Sequence, residues 1–319
     1  MILAFSGGVG GAKLVAGLAA VCAPDALMAV VNTGDDFDLL GLRVCPDIDS
    51  VLYAAADLHD AQRGWGRRDE SWHFHHTLQQ LGVDAWFQLG DRDLATHVLR
   101  SAWLREGLTL TQVTARLAEA VGLRFAVIPM SDQPVPTLID TPQGRLAFQD
   151  YFVRQRCAPV CTGIVFGDAA AARPPAVLQQ ALDVGGGGFV FCPSNPFVSI
   201  EPILAVPGIR RALLARQQPC VAVSPLIGGQ AVKGPAAKMM RELGLQVSTL
   251  GIAHRYAGLL DGIVIDTTDR AERYALEALG LKVAVTDTLM PDADDRRRVA
   301  RATLELLARC SAPAACKEE

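Results

Sequence analysis

Short apolar runs broken by polar turns recur along the chain. Met1 to Phe5 is the first, followed by the glycine-rich stretch Ser6-Gly7-Gly8-Val9-Gly10-Gly11 and an apolar segment from about Ala12 to Val21. A second run, Ala26 to Val31, ends in Asn32-Thr33-Gly34-Asp35-Asp36. Runs of this length without alternation predict strands buried on both faces, and the segment between them predicts a crossover helix. Further strands are expected at Arg124 to Ile128, Gly163 to Phe166, Gly188 to Cys192, Cys220 to Ser224, Gly262 to Ile265 and Lys282 to Val285. Helical patterns separate most of them, at Pro174 to Leu182, Ile209 to Ala215, Gly234 to Leu243 and Ala271 to Leu279, with a last helix from about Ala293 to Ala308 and a frayed tail from Cys310 to Glu319.

This alternation predicts an α/β fold, a Rossmann-like, doubly wound and mostly parallel sheet. Residues 1–50 and 121–319 form its nucleotide-binding core. Residues 51–120 lack a β period and hold all four tryptophans, Trp65, Trp72, Trp86 and Trp103. They read as a mainly helical insertion over the sheet's ligand edge. Thr137 to Tyr151, with Gln143-Gly144 between two extended runs, reads as a hairpin.

Composition narrows the function classes. The chain has 319 residues, half of them hydrophobic, and a formal net charge of -4. Without a concentrated basic excess, neither nucleic acid nor an acidic membrane is an expected partner. Eight cysteines with no C-x-x-C pair fit a reducing, cytoplasmic compartment. No apolar run approaches the roughly 20 residues that span a bilayer, and Ser6-Gly7-Gly8 interrupts the first run before a signal-peptide core forms. A homodimer is the default expectation for such a chain.

The candidate chemistry is glycines followed by acids. Exposed amides at a helix start attract an anion, which makes the glycine loop a phosphate candidate; a tight turn with no ligand is the plainer alternative. The loop matches neither standard fingerprint, because Lys13 lies between Ala12 and Leu14 and occupies the place of the last glycine in G-x-G-x-x-G. Three acidic pairs follow: Asp35/Asp36, Asp47/Asp49 and Asp91/Asp93. Carboxylates gathered beside phosphates suit a hard divalent cation. In Cys45-Pro46-Asp47-Ile48-Asp49-Ser50, an extended backbone would point both acids the same way, whereas a helix start near Ser50 would leave Asp49 as a cap. Asp91 and Asp93 flank Arg92 and would hold its planar fork ready for a phosphate or ring carbonyl; a solvated helix start is the plainer alternative. Ser194 and Asn195 stand between Pro193 and Pro196, and Ser224 leads through Gly228-Gly229 to Lys233. Both turns suit nucleotide recognition and equally suit ordinary strand-to-helix connections. His73, His75 and His76 match no zinc spacing.

Taken in order, SGGVGGAKL, VNTGDDF, CPDIDSVLY, RGWG, WFQLGDRDLATH, PMSD, FQDYFV, PSNPFVSIEPIL, VSPLIGG and KGPAAKMM resemble the 2-phospho-L-lactate transferase family of coenzyme F-420 biosynthesis. The resemblance covers most of the chain. It implies transfer of a phospholactyl-type group from a guanosine-diphosphate-linked donor to the ribityl hydroxyl of the deazaflavin Fo, with release of GMP and with Mg2+ as the metal. It further implies Asp35 and Asp49 as metal ligands with Asp47 as a second-rank one, Asp47 or Asp49 as an aid to proton removal, and Asp49 and Arg92 as contacts to Fo. Ser194, Asn195, Ser224, Gly228 and Gly229 would hold the donor beside Gly8, Gly10, Gly11 and Lys13. Ser50 departs from the family's usual threonine, and Val184 to Gly188 from its usual Ala-Asp. The alternative is a non-catalytic, UDP-sugar-binding regulator of the gluconeogenesis-factor type, which resembles the same sheet and glycine loop. The broken dinucleotide fingerprint disfavours a dehydrogenase.

Overall fold

Seven short apolar strands lie side by side, all parallel: β1 (Ile2–Ser6), β2 (Leu27–Val31), β3 (Ala126–Pro129), β4 (Gly188–Phe191), β5 (Cys220–Val223), β6 (Gly262–Asp266) and β7 (Lys282–Thr286). Their spatial order is β7-β6-β5-β4-β1-β2-β3, so the winding direction reverses between β1 and β4. Loops leaving the C-terminal ends of those two strands diverge and leave a crevice, the usual ligand position in such sheets. In this computed structural model residues 1–311 are described. Positions 312–319 of the expected tail lie outside the described residues, while Cys310 and Ser311 close the last helix, Ala293–Ser311.

Alternate residues of each strand feed two apolar clusters on opposite faces. Leu3, Phe5, Met28, Val30, Phe189 and Phe191 serve one, and Ala4, Leu27, Ala29, Val31 and Val190 the other. The second face is covered by α1 (Gly8–Val21), α2 (Pro46–Ala55), the helix Leu110–Ala120 and the closing helix, through Leu14, Leu18, Val51, Leu52, Val113, Leu117, Val299 and Leu306. Gly17 permits the tightest of these approaches: a Cβ there would stand 2.3 Å from the Arg296 carbonyl oxygen.

Two expectations change and one unforeseen element is added. Gly163–Phe166 is not a strand of the parallel sheet; it pairs antiparallel with Thr137–Thr141, which also pairs with Gly144–Ala147. The physical reason lies in the connections. A parallel neighbour needs a long crossover, usually a helix, and between Ala147 and Gly163 there is only the single wide turn Asp150–Arg154. Second, Phe37–Leu39 and Leu42–Val44 form a small hairpin, turned by Leu40 and Gly41 at φ 52° and 78°. Third, the boundaries at 50 and 121 cut through packed structure. The helices Pro46–Ala55 and Leu110–Ala120 share the apolar cluster of α1, which Leu58, Trp103, Leu104 and Leu108 also join from the stretch between them. Within it lie α3 (His73–Gln80) and α4 (Asp91–Arg105).

Candidate active site at the reversal of the sheet

The loop after β1 starts α1 at Gly8, and its glycines are explained by the walls around them. A Cβ on Gly7 would lie 2.6 Å from Ser199 Cβ and 2.7 Å from Asp47 Oδ2. One on Gly10 would meet the Pro193 carbonyl oxygen at 2.5 Å, and one on Gly11 would meet Ser194 Oγ at 2.4 Å. Real Cβ contacts are never this close, so the loops after β1 and β4 touch only because these side chains are absent. The Gly7 amide donates to Ser194 Oγ at 3.0 Å and the Gly8 amide to Asp47 Oδ1 at 2.7 Å. Gly8 itself has φ +64° and open space beside its α-carbon.

Asp47 comes from the first turn of α2, which Pro46 starts. Its Oδ2 accepts from Asn32 Nδ2 at 2.8 Å, and the same amide nitrogen donates to Asp35 Oδ1 at 3.0 Å and to the Val198 carbonyl at 3.2 Å. Asn32 ends β2 and is fully buried, and Asp35 and Asp47 are buried with it. Burial pushes the Asp35 carboxyl well above the ordinary carboxylate range, and the neighbouring Asp47 charge pushes it further. Burial likewise raises Asp47 to about 6, against the hydrogen bonds from Asn32 and Gly8. The adjacent Asp36 is pushed up to about 8, chiefly by burial, and its Oδ1 is buried without a partner. Ser6 Oγ and Thr33 Oγ1 are also buried and unpartnered. Two close carboxylates with depressed acidity, beside unsatisfied hydroxyl oxygens, form an all-oxygen donor set that suits a hard divalent cation.

Asp49 does not join them. The segment is helical rather than extended, and at about 100° per residue two positions two apart face roughly opposite ways. Asp49 turns to the fully buried Arg100 of α4: Nη1 donates to its Oδ2 at 3.1 Å, and Nη2 pairs with its Oδ1. Burial works against the guanidinium charge, but Asp49 more than offsets it and raises the Arg100 pKa. Arg100 Nη1 also contacts His97 Nδ1 at 3.1 Å, and His97 Nε2 lies 3.4 Å from Asp93 Oδ2. Tyr53 Oη donates to Asp93 Oδ1 at 2.6 Å. Asp49, Asp93 and His97 converge closely enough to suggest a metal cluster. The Arg100 guanidinium already supplies the positive charge there, so a cation gains little.

The frame proposed around Arg92 is also different. Asp91 caps α3, accepting from Ser71 Oγ and from the His73 and Phe74 amides, while Asp93 faces inward. Glu70 accepts from the Arg92 and Asp93 amides at the start of α4. The Arg92 side chain is exposed, 3.9 Å from Asp69. Asn195 Oδ1 caps the turn at Phe197, Ser224 Oγ bonds Thr249 Oγ1 at 3.0 Å, and the Gly228 amide donates to Asp269. These donor-side candidates follow β4 and β5, next to each other in the sheet, yet the polar atoms of Ser224 and Gly228 have protein partners. Asn32, Gly7 and Arg100 were not among the sequence candidates. Asn32 carried a readable signal as a polar residue ending a buried strand.

The 2-phospho-L-lactate transferase CofD family model matches residues 2–304. The chain belongs to this family. Two groups of relatives bear different names. A 2-phospho-L-lactate transferase of Methanosarcina mazei is 38% identical over 305 residues, covering 95% of this chain and 99% of the relative. A phosphoenolpyruvate transferase of Kitasatospora aureofaciens is 41% identical over 313 residues, covering 96% and 97%. A solved structure of a Bacillus halodurans protein of the upf0052 family superposes with a TM-score of 0.62 at 17% identity, covering 95% of this chain and 98% of that one, which supports the fold. Family membership makes the chain a transferase. Among the described residues no helix is long and apolar enough to cross a membrane.

Proposed function

We propose that the chain transfers a phospholactyl-type group, or its enolpyruvyl or glyceryl analogue, from a guanosine-diphosphate-linked donor to the deazaflavin Fo. The observation that carries this reading is the Asp35/Asp47 pair, held by one Asn32 amide against the Gly8 turn at the reversal of the sheet. The Fo ribityl oxygen would form a new bond to the distal phosphorus. The hydroxyl's proton would pass to solvent, the bond from that phosphorus to the bridging oxygen would break, and GMP would leave with that oxygen. Such a transfer needs alignment and charge neutralisation more than a covalent nucleophile. Asp35 and Asp47 would hold Mg2+, which supplies neutralising charge to the diphosphate when bound. Asp49 is left out of this set, because Arg100 occupies both its oxygens. Ser194 and Asn195 would border the nucleotide, and Arg92 would meet Fo from the exposed start of α4.

Purified protein incubated with Fo, Mg2+ and competing lactyl, enolpyruvyl and glyceryl guanylylated donors should release GMP. Mass spectrometry of the product would identify the preferred acid. Absence of GMP release together with tight UDP-sugar binding would favour the regulator instead. Light scattering of the same sample would test the expected homodimer.

A further inference from the structure

A second feature lies along the seam between α1 and α2. Lys13, Ser50, His59, Trp65 and Lys233 line a small cleft there, and none of the described residues lining it carries a carboxylate. Lys233 reaches across from its own loop, with Nζ 3.4 Å from the Gly64 carbonyl oxygen. Behind the wall Arg296, buried in the closing helix, donates from Nη2 to His59 Nε2 at 2.7 Å. A guanidinium only donates, so Nε2 accepts and the imidazole hydrogen sits on Nδ1. That Nδ1 is buried without an acceptor, and so is Arg296 Nε. Asp57 and Asp292 act on Arg296, but neither lines the cleft, and Asp57 also pairs with Arg68 at 3.2 Å. Burial first, and then the charges of Arg296 and Lys233, lower the Lys13 pKa.

We propose that this cleft seats the acid end of the donor, a phosphate with a neighbouring carboxylate, between Lys13 and Lys233, with the acid's carbons against Trp65. The inference rests on the transferase reading. It carries that reading from Lys233, at the end of the turn after Ser224, to His59, which the sequence motifs left without a role. Position and chemistry agree. Ser50 follows Asp47 by three residues, roughly 4.5 Å along α2, so a ligand bridging the carboxylate pair and the cleft needs only a short phosphate link. The acids named for both groups of relatives carry a phosphate and a carboxylate, matching two ammonium groups.

The test is equilibrium binding of 2-phospho-L-lactate to the full chain, followed by tryptophan fluorescence and calorimetry, with lactate as the control lacking phosphate. Binding of the phospho acid but not of lactate, weakened at least tenfold in both Lys233→Gln and His59→Gln, supports the cleft. A fluorescence change lost in Trp65→Phe, with calorimetric affinity retained, would place the reporter there. Equal affinity in wild type and both folded variants, or no binding at all, overturns the inference. GMP release is measured separately on the same samples. An active wild type with unaltered phospho-acid binding in the variants sinks the cleft alone; an inactive wild type with variant-sensitive binding sinks the transferase reading alone.

Discussion

The two faces of α2 present carboxylates in opposite electrostatic states. On one face Asp47 shares a neutral amide with Asp35, and among the described residues no cationic side chain pairs with it. On the other, Asp49 is clasped by a buried guanidinium and continues through His97 and Asp93 to Tyr53. The first arrangement is under-neutralised and suits a ligand that brings positive charge. The second already contains its own cation and suits holding α4 against α2. Acids two residues apart in one motif therefore do different work, and the helix between them is the cause.

Asp47→Asn gives the largest expected effect. If Asp47 holds the cation as proposed, turnover should fall by a factor on the order of a thousand, since a charged ligand would be lost while the amide could keep the bond from Gly8. GMP release at saturating Mg2+ measures it, and near-wild-type rates would erase the distinction between the faces. Next, Arg100→Met should destabilise by about 3 kcal/mol in urea unfolding, because Asp49 stays buried and unpaired. Adding Asp49→Asn should recover much of that loss. If the double variant is no more stable than the single, the pair is not the holding contact.

The pH dependence separates the faces further. A carboxyl raised in the folded state favours its protonated form there, so the Asp47 contribution is present below an ordinary pKa near 4 and is lost as pH rises through about 6. Metal-free protein should lose on the order of 3 kcal/mol from this group across the whole of that transition. Asp47→Asn should flatten that slope, and Mg2+ at pH 8 should restore stability to the wild type only. An identical slope in both proteins would remove the argument for an under-neutralised face. The smallest effect belongs to Arg92→Ala: an unchanged melting temperature, given the exposed side chain, with a several-fold rise in the KM for Fo. An unaltered KM would detach α4 from acceptor binding.

Much of the core could be read directly. The strands β1 and β2, the glycine turn between β1 and α1, and the polar residues after β2 follow from apolar runs and their punctuation, which are local signals. Gly163–Phe166 misled because a four-residue apolar run does not say which sheet it joins; pairing with Thr137–Thr141 decides that. The Asp47/Asp49 pair misled through backbone conformation, since Pro46 begins a helix that an extended reading misses. Arg100 was invisible for another reason. It pairs across 51 residues of chain, and nothing in its own neighbourhood separates it from a surface arginine.

Asn32 limits the formal charge of its surroundings. An aspartate in its place would present three carboxylates to one cation and hold that ion as a fixture. With an amide, and with Mg2+ bound as proposed, Asp35 and Asp47 would together supply two negative charges, which one magnesium ion would cancel with nothing left over for a diphosphate. Any nucleotide-linked donor must then find its remaining neutralisation elsewhere on the chain, and the lysines along the α1–α2 seam are placed to provide it.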